Sequence, residues 1–211
     1  MTTDISPAPA PAGDRAPQRD QARSGLRAYV TAVHRRQRRY LRDLAWRAFP
    51  VRRPVQHDFG GATRGIRLLH GMVRTAHAYD GSAVPEPVRA DLPAVVTVFL
   101  PPGHEAVRER ALEFARRALP HYSSGLLLIE DHQERTPLQM AALLDPYGFA
   151  IVEWRGFGVL APAWYRLRWL RPLARLIDDV ACRIPVLHRY ARTVLYVARR
   201  VHAGAVPGGS R

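Results

Sequence analysis

The sequence predicts an open, mostly parallel α/β sheet covered by helices on both faces, with an added N-terminal amphipathic helix. Three observations lead there. From Val55 onward, short β-branched runs alternate with segments of helical period. The runs Ala94–Phe99 and Gly125–Glu130 are apolar almost throughout, as strands buried on both faces are. A glycine-rich turn, His57-Asp58-Phe59-Gly60-Gly61-Ala62-Thr63-Arg64-Gly65, follows the first run, and an acid, Asp80, ends the second.

Residues 1–21 alternate proline and alanine with few large apolar groups, a composition that predicts a disordered tail. Residues 22–53 form a basic amphipathic segment. Leu26, Tyr29, Val30, Val33, Tyr40, Leu41 and Leu44 recur at helical spacing, Arg35, Arg38, Arg39 and Arg42 fall opposite, and Pro50 and Pro54 close the helix near residue 48. This helix either dimerises or covers the sheet; its periodicity suits both. The α/β domain is expected over 54–202. Val55–Asp58 is a short strand into the glycine turn, 64–73 a helix, 75–79 a weak strand, and 81–93 is turn-rich. Strand 94–99, helix 105–119 and strand 125–130 follow. Thr136-Pro137-Leu138-Gln139 has the form of a capping box opening a helix that ends near Gly148. Strand 149–154, one or two basic helices over 163–191 broken at Pro185, and strand 193–198 complete the domain, and 203–211 is a flexible tail.

Composition narrows the function. All 32 residues counted as Lys or Arg are arginine, which a codon bias produces without any function, and the net charge is +14. The placement is uneven. Residues 1–53 carry twelve arginines and four acids, residues 162–211 ten and two, while the centre is slightly acidic. Basic flanks of this kind meet an anionic membrane or a partner protein, or stay solvated. No apolar run reaches the length of a membrane span and the N-terminus has no signal-peptide pattern, so a cytoplasmic protein is expected. The lone Cys182 excludes an internal disulfide and a cysteine-built zinc site, and no metal site is expected. Phosphate-loop, nucleophile-elbow and metalloprotease motifs are absent, and no nucleic-acid-binding signature stands out.

Ligands of open α/β sheets bind at the carboxyl ends of the strands. Asp58, Asp80, Pro101 to His104 and Glu130 to His132 occupy those ends in this reading. His104 and His132 are the candidate acid–base groups, because imidazole titrates near neutrality; as loop histidines they would do nothing. Glu130 and Asp131 adjoin His132 and are placed to orient it, whereas the strand alternation points His57 into the packing layer.

Gly125-Leu-Leu-Leu-Ile-Glu-Asp-His132, Leu143-Leu-Asp-Pro-Tyr-Gly-Phe-Ala-Ile-Val-Glu153 and the stretch from Pro172 to Arg200 resemble the later strands and helices of the class I S-adenosylmethionine-dependent methyltransferases. The resemblance runs from Val55 to Arg200 and lies in the order of motifs. It implies a doubly wound, Rossmann-like sheet of seven strands, the last antiparallel, binding S-adenosylmethionine and methylating a small-molecule acceptor. By position, Asp58 matches the acid opening the turn, Gly60 with Gly61 the turn itself, Asp80 the ribose acid and, loosely, Asp91 the acid near the adenine. The departures are Ala62 and Arg64, which stand where the family has glycine, although a register shifted onto Gly61 and Gly65 is open. Residues 81–93 are also too few for a helix and a strand, so the third strand is expected to be missing or vestigial. Three readings stay open: a small-molecule methyltransferase, a catalytically degenerate pseudo-methyltransferase serving as a partner subunit, and a basic adaptor for anionic membrane or nucleic acid.

Overall fold

The computed structural model describes residues 15–60, 64–79, 91–101, 103–132 and 135–201. They form one six-stranded sheet from β1 (Val55–Asp58), β2 (Thr75–Ala78), β3 (Ala94–Phe99), β4 (Gly125–Asp131), β5 (Phe149–Phe157) and β6 (Thr193–Arg200). The spatial order is β2-β1-β3-β4-β6-β5. The first four strands run parallel, and β6 inserts antiparallel between β4 and β5. This is the mostly parallel, doubly wound sheet that the sequence predicts, with its reversed last strand. Six strands lie among the described residues; the segment expected to have lost a strand, 81–93, falls largely outside them.

Helices α1 (Arg15–Ala48) and α2 (Arg64–Leu69) cover one face, and α3 (Glu105–Ala118) and α4 (Pro137–Leu144) the other. β3 and β4 alternate between the two cores: Val96, Val98, Leu127 and Ile129 meet α3, while Val95, Leu126 and Leu128 meet α1. That explains why neither strand has a polar face. The α1 side chains Tyr29, Val33, Tyr40, Leu41 and Leu44 are buried against this second set. At about 1.5–3 kcal/mol for each large apolar side chain removed from water, this row makes α1 part of the domain's core. Of the two roles its periodicity allowed, α1 takes that of covering the sheet.

The boundaries differ from expectation in four places, each for a local reason. α1 begins at Arg15, inside the segment predicted to be disordered. Pro17 sits in its first turn, where the missing N–H costs nothing, and Gln18-Arg19-Asp20-Gln21-Ala22-Arg23 are mostly good helix formers. α2 stops at Leu69 rather than near Val73, because Gly71 adopts a left-handed conformation (φ 82°) and turns the chain. The basic stretch 163–191 is cut into short 3-10 turns, Pro162–Tyr165, Arg168–Leu170 and Pro185–Tyr190, around α5 (Arg171–Ala181). Pro162, Pro172 and Pro185 each start a new piece from its first turn. β5 and β6 run longer than predicted because they pair with each other, Phe149 opposite Arg200 through Phe157 opposite Thr193. The capping box on α4 is formed, with Thr136 and Gln139 exchanging side-chain and backbone hydrogen bonds.

Candidate functional site

The strand order reverses beside β1: the chain proceeds from β1 to β2 on one side and later returns to β3 on the other. Crevices at such a reversal are where open α/β sheets take their ligands. The glycine turn stands there. The Asp58 backbone is tied to both neighbours, its carbonyl accepting from Tyr79 N–H at 2.8 Å while Phe59 N–H donates to Thr97 O at 2.8 Å. The Asp58 side chain is buried beneath the turn. Its Oδ1 accepts from Thr97 Oγ1, and burial raises the carboxyl's pKa against the opposing pull of Thr97 and the Ile66 N–H. Its Oδ2 has no hydrogen-bond partner among the described residues.

Two glycines let the backbone close over this acid. A Cβ on Gly60 would stand 3.2 Å from Phe99 O and 3.4 Å from Asp58 Oδ2. A Cβ on Gly65 would stand 2.1 Å from Asp58 Oδ1 and 2.8 Å from Thr97 Oγ1. Gly65 is therefore the residue that lets the first turn of α2 pack onto β1 and β3, the part played by the last glycine of a G-x-G-x-x-G turn. Gly60, Ala62 and Gly65 have that spacing. A register on Gly60 and Gly65 leaves Arg64 off the glycine positions. Gly61, Ala62 and Asp80 lie outside the described residues.

Arg64 opens α2 and carries its guanidinium away from the turn, across the end of β3, to Glu130 at the end of β4. Its Nη2 donates to Glu130 Oε1 at 2.6 Å and to Gln37 Oε1 at 3.4 Å, and Gln37 Nε2 donates to the same Glu130 oxygen at 2.8 Å. Glu130 is 1% exposed, so without this cation its ionised form would be expensive. Its second oxygen, Oε2, has no hydrogen-bond partner among the described residues, and the half-buried His132 Nε2 stands 4.0 Å from it. At that distance the two make a long charge contact rather than a hydrogen bond. The sequence puts Glu130 beside His132; the parts of Gln37 and Arg64 arise only because α1 and α2 share a face.

The other candidates are placed differently. His104 is exposed at the amino end of α3, beyond β3, and its carbonyl accepts from Val107 and Arg108 N–H. On that side Arg135 links Glu105, at 3.0 Å, to Asp131, whose Oδ2 accepts the Arg135 backbone N–H at 3.0 Å. Asp91 does not join the others. It lies exposed just before β3, at the amino end of the sheet, where its carbonyl accepts from Arg52. With the chain re-entering β3 so soon after it, this acid cannot reach the strand-end crevice. His57 is buried, with Nδ1 at 3.0 Å from Tyr79 OH and Nε2 at 2.8 Å from Tyr122 OH, and burial with neighbouring His77 lowers its pKa to about 4.

No family model matches the sequence, and no curated protein is significantly similar to it. Among solved structures the chain is similar to a Burkholderia thailandensis 1,6-didemethyltoxoflavin-N1-methyltransferase with bound S-adenosylhomocysteine, at 14% identity and a TM-score of 0.45 over 92% of this chain and 95% of that one. It is similar to a putative methyltransferase in complex with the Trm112 methyltransferase activator of Haloferax volcanii, at 12% identity and 0.44 over 89% and 97%. It is similar also to the [4+2]-cyclase SpnF, at 15% identity and 0.40 over 76% and 80%. At these values the functional reading rests on the chain's own residues. Among the described residues no helix is long and apolar enough to cross a membrane.

Proposed function

We propose that this chain is a methyltransferase that takes S-adenosylmethionine at the carboxyl ends of β1 and β3 and methylates a small-molecule acceptor. The observation that carries the reading is the turn at the strand reversal, where Gly60 and Gly65 close over a buried acid whose Oδ2 has no hydrogen-bond partner among the described residues. The residues present fit such a group. Gly60 and Gly61 would give backbone approach to it, Asp58 would hold the turn from beneath, and Asp80, the residue after Tyr79, is offered for the ribose hydroxyls. When bound, the cofactor supplies a methyl group on a sulfonium, so the protein's tasks are alignment and removal of the acceptor's proton. For that proton the reading assigns His132, oriented by Glu130, with His104 as the second candidate. The Arg64 guanidinium pairs with Glu130 behind His132, in place of adding bulk to the turn.

The competing reading is a pseudo-methyltransferase that keeps the fold as a partner subunit; the Arg64–Glu130–Gln37 cluster favours it, since Arg64 and Gln37 both donate to one oxygen of the Glu130 carboxylate. Calorimetry with S-adenosylhomocysteine separates the two. The methyltransferase reading expects binding at about 1–100 μM, or roughly 5–8 kcal/mol, abolished by Gly60→Val. Absence of heat at millimolar ligand in the folded wild-type chain overturns it in favour of the pseudo-enzyme.

A further inference from the structure

α5 is turned the wrong way round for a core helix. It buries Ala174, Asp178 and Ala181 and leaves Leu173 (49% exposed), Leu176 (61%), Ile177 (39%) and Val180 (51%) in solvent. These four recur at i, i+3, i+4 and i+7, the spacing of a single apolar stripe. The cause is polar. Asp178 Oδ1 accepts the Leu160 N–H at 2.8 Å, and its Oδ2 accepts Tyr165 OH at 2.6 Å and lies 3.5 Å from Arg36 Nη1. Asp179 pairs with the same arginine. Anchoring both acids to α1 and the 160–165 segment fixes the rotation of α5 and swings its apolar stripe about a third of a turn out of the core.

The turns on either side of the helix expose large apolar side chains too: Trp169, 75% exposed, precedes it and Val186, 63% exposed, follows it. Residues 162–192 carry seven arginines and two acids. Both acids are spent on Arg36, so the exposed Arg166, Arg168, Arg183 and Arg189 keep no carboxylate of their own segment. An outward apolar row with a tryptophan at its end and a rim of one sign is the chemistry of a surface that lies in the headgroup layer of an anionic bilayer. We infer that the 164–190 face is a peripheral docking surface for anionic lipid membrane, with Leu173, Leu176, Ile177, Val180 and Trp169 entering the acyl boundary and the arginines meeting lipid phosphates. Neutral apolar contact alone would leave the uniform positive rim without a counterpart; the rim is what selects an anionic surface.

The test is cosedimentation of the full chain with vesicles of phosphatidylcholine alone and of phosphatidylcholine with about a third phosphatidylserine. The wild type is expected to partition at least about tenfold more strongly onto the anionic vesicles, more weakly as salt rises. The double variant Leu176→Ser, Ile177→Ser is expected to lose about tenfold or more of that binding. Leu138→Ser, on the exposed side of α4, is the control and keeps it. Trp169→Ser, in the turn before α5 rather than in the helix, is a second variant that leaves the α5 residues themselves intact. The proposal is overturned by absence of binding, by binding that the double variant and Trp169→Ser leave unchanged, or by a concentration-dependent dimer in ultracentrifugation that the double variant abolishes, which would make this face a contact between copies.

Discussion

Asp58 is the residue on which the turn is built, and its neighbours show why each was chosen. The carboxylate is buried, tied to Thr97 and the start of α2, and the helix can approach it only because residue 65 has no side chain. Gly65→Ala would set a methyl group 2.1 Å from Asp58 Oδ1. It is expected to cost about 1–3 kcal/mol by overpacking, read as a lowered midpoint in urea unfolding. His57, one residue earlier and on the opposite face, supplies a pH dependence. Its pKa falls to about 4 in the folded chain from 6.5, so the unfolded chain takes up the proton first as pH drops. The stability this histidine allows is complete above about pH 6.5 and is lost as pH falls toward 4, on the order of 3 kcal/mol. Denaturant midpoints at a series of pH values between these limits should show that slope in the wild type and not in His57→Phe.

Among the elements, α5 and α1 are joined by charge rather than by apolar contact. Arg36 is 8% exposed and Asp178 is fully buried, and Arg36 also donates to the Arg175 carbonyl at 2.7 Å. Removing the cation leaves a buried carboxylate with the Tyr165 hydroxyl and the Leu160 amide alone. Arg36→Met is therefore expected to destabilise the chain by about 3–5 kcal/mol, with Arg36→Met, Asp178→Leu recovering part of the loss. A thermal-unfolding double-mutant cycle reads both. The elements themselves were legible in the sequence to the extent that local chemistry defines them. β1, β3, β4 and α4 fall where β-branched runs and a capping box put them. α2 and the 163–191 region did not, because the left-handed Gly71 and the prolines of short 3-10 turns act on a scale smaller than the helical period.

At the scale of the molecule, α1 closes one face of the sheet. Deleting residues 1–53 would bare Val95, Leu126, Leu128 and Leu195, all 2% exposed or less in the intact chain. The truncated chain is expected to lose its cooperative transition and to bind a hydrophobic dye, as compact states without specific packing do. A truncated chain that melts cooperatively and binds no dye would show that α1 is dispensable to the core. The two charged flanks play different parts in this whole. The N-terminal one contributes core side chains through α1, and the C-terminal one leaves its apolar row outside.

The sequence by itself determined the class of fold, the order of its strands and helices, and the acid, glycines and histidine at the strand ends. These follow from periodicity, turn chemistry and near neighbours in the chain, which are local. It did not reveal the Gln37–Arg64–Glu130 cluster or the rotation of α5. Asp91 was drawn toward the site by its residue type and excluded by its position at the other end of β3. Each of these was decided by which elements share a face of the sheet. A buried charge must find its partner across the packing, and that partner lies at a distance along the chain that no local pattern records.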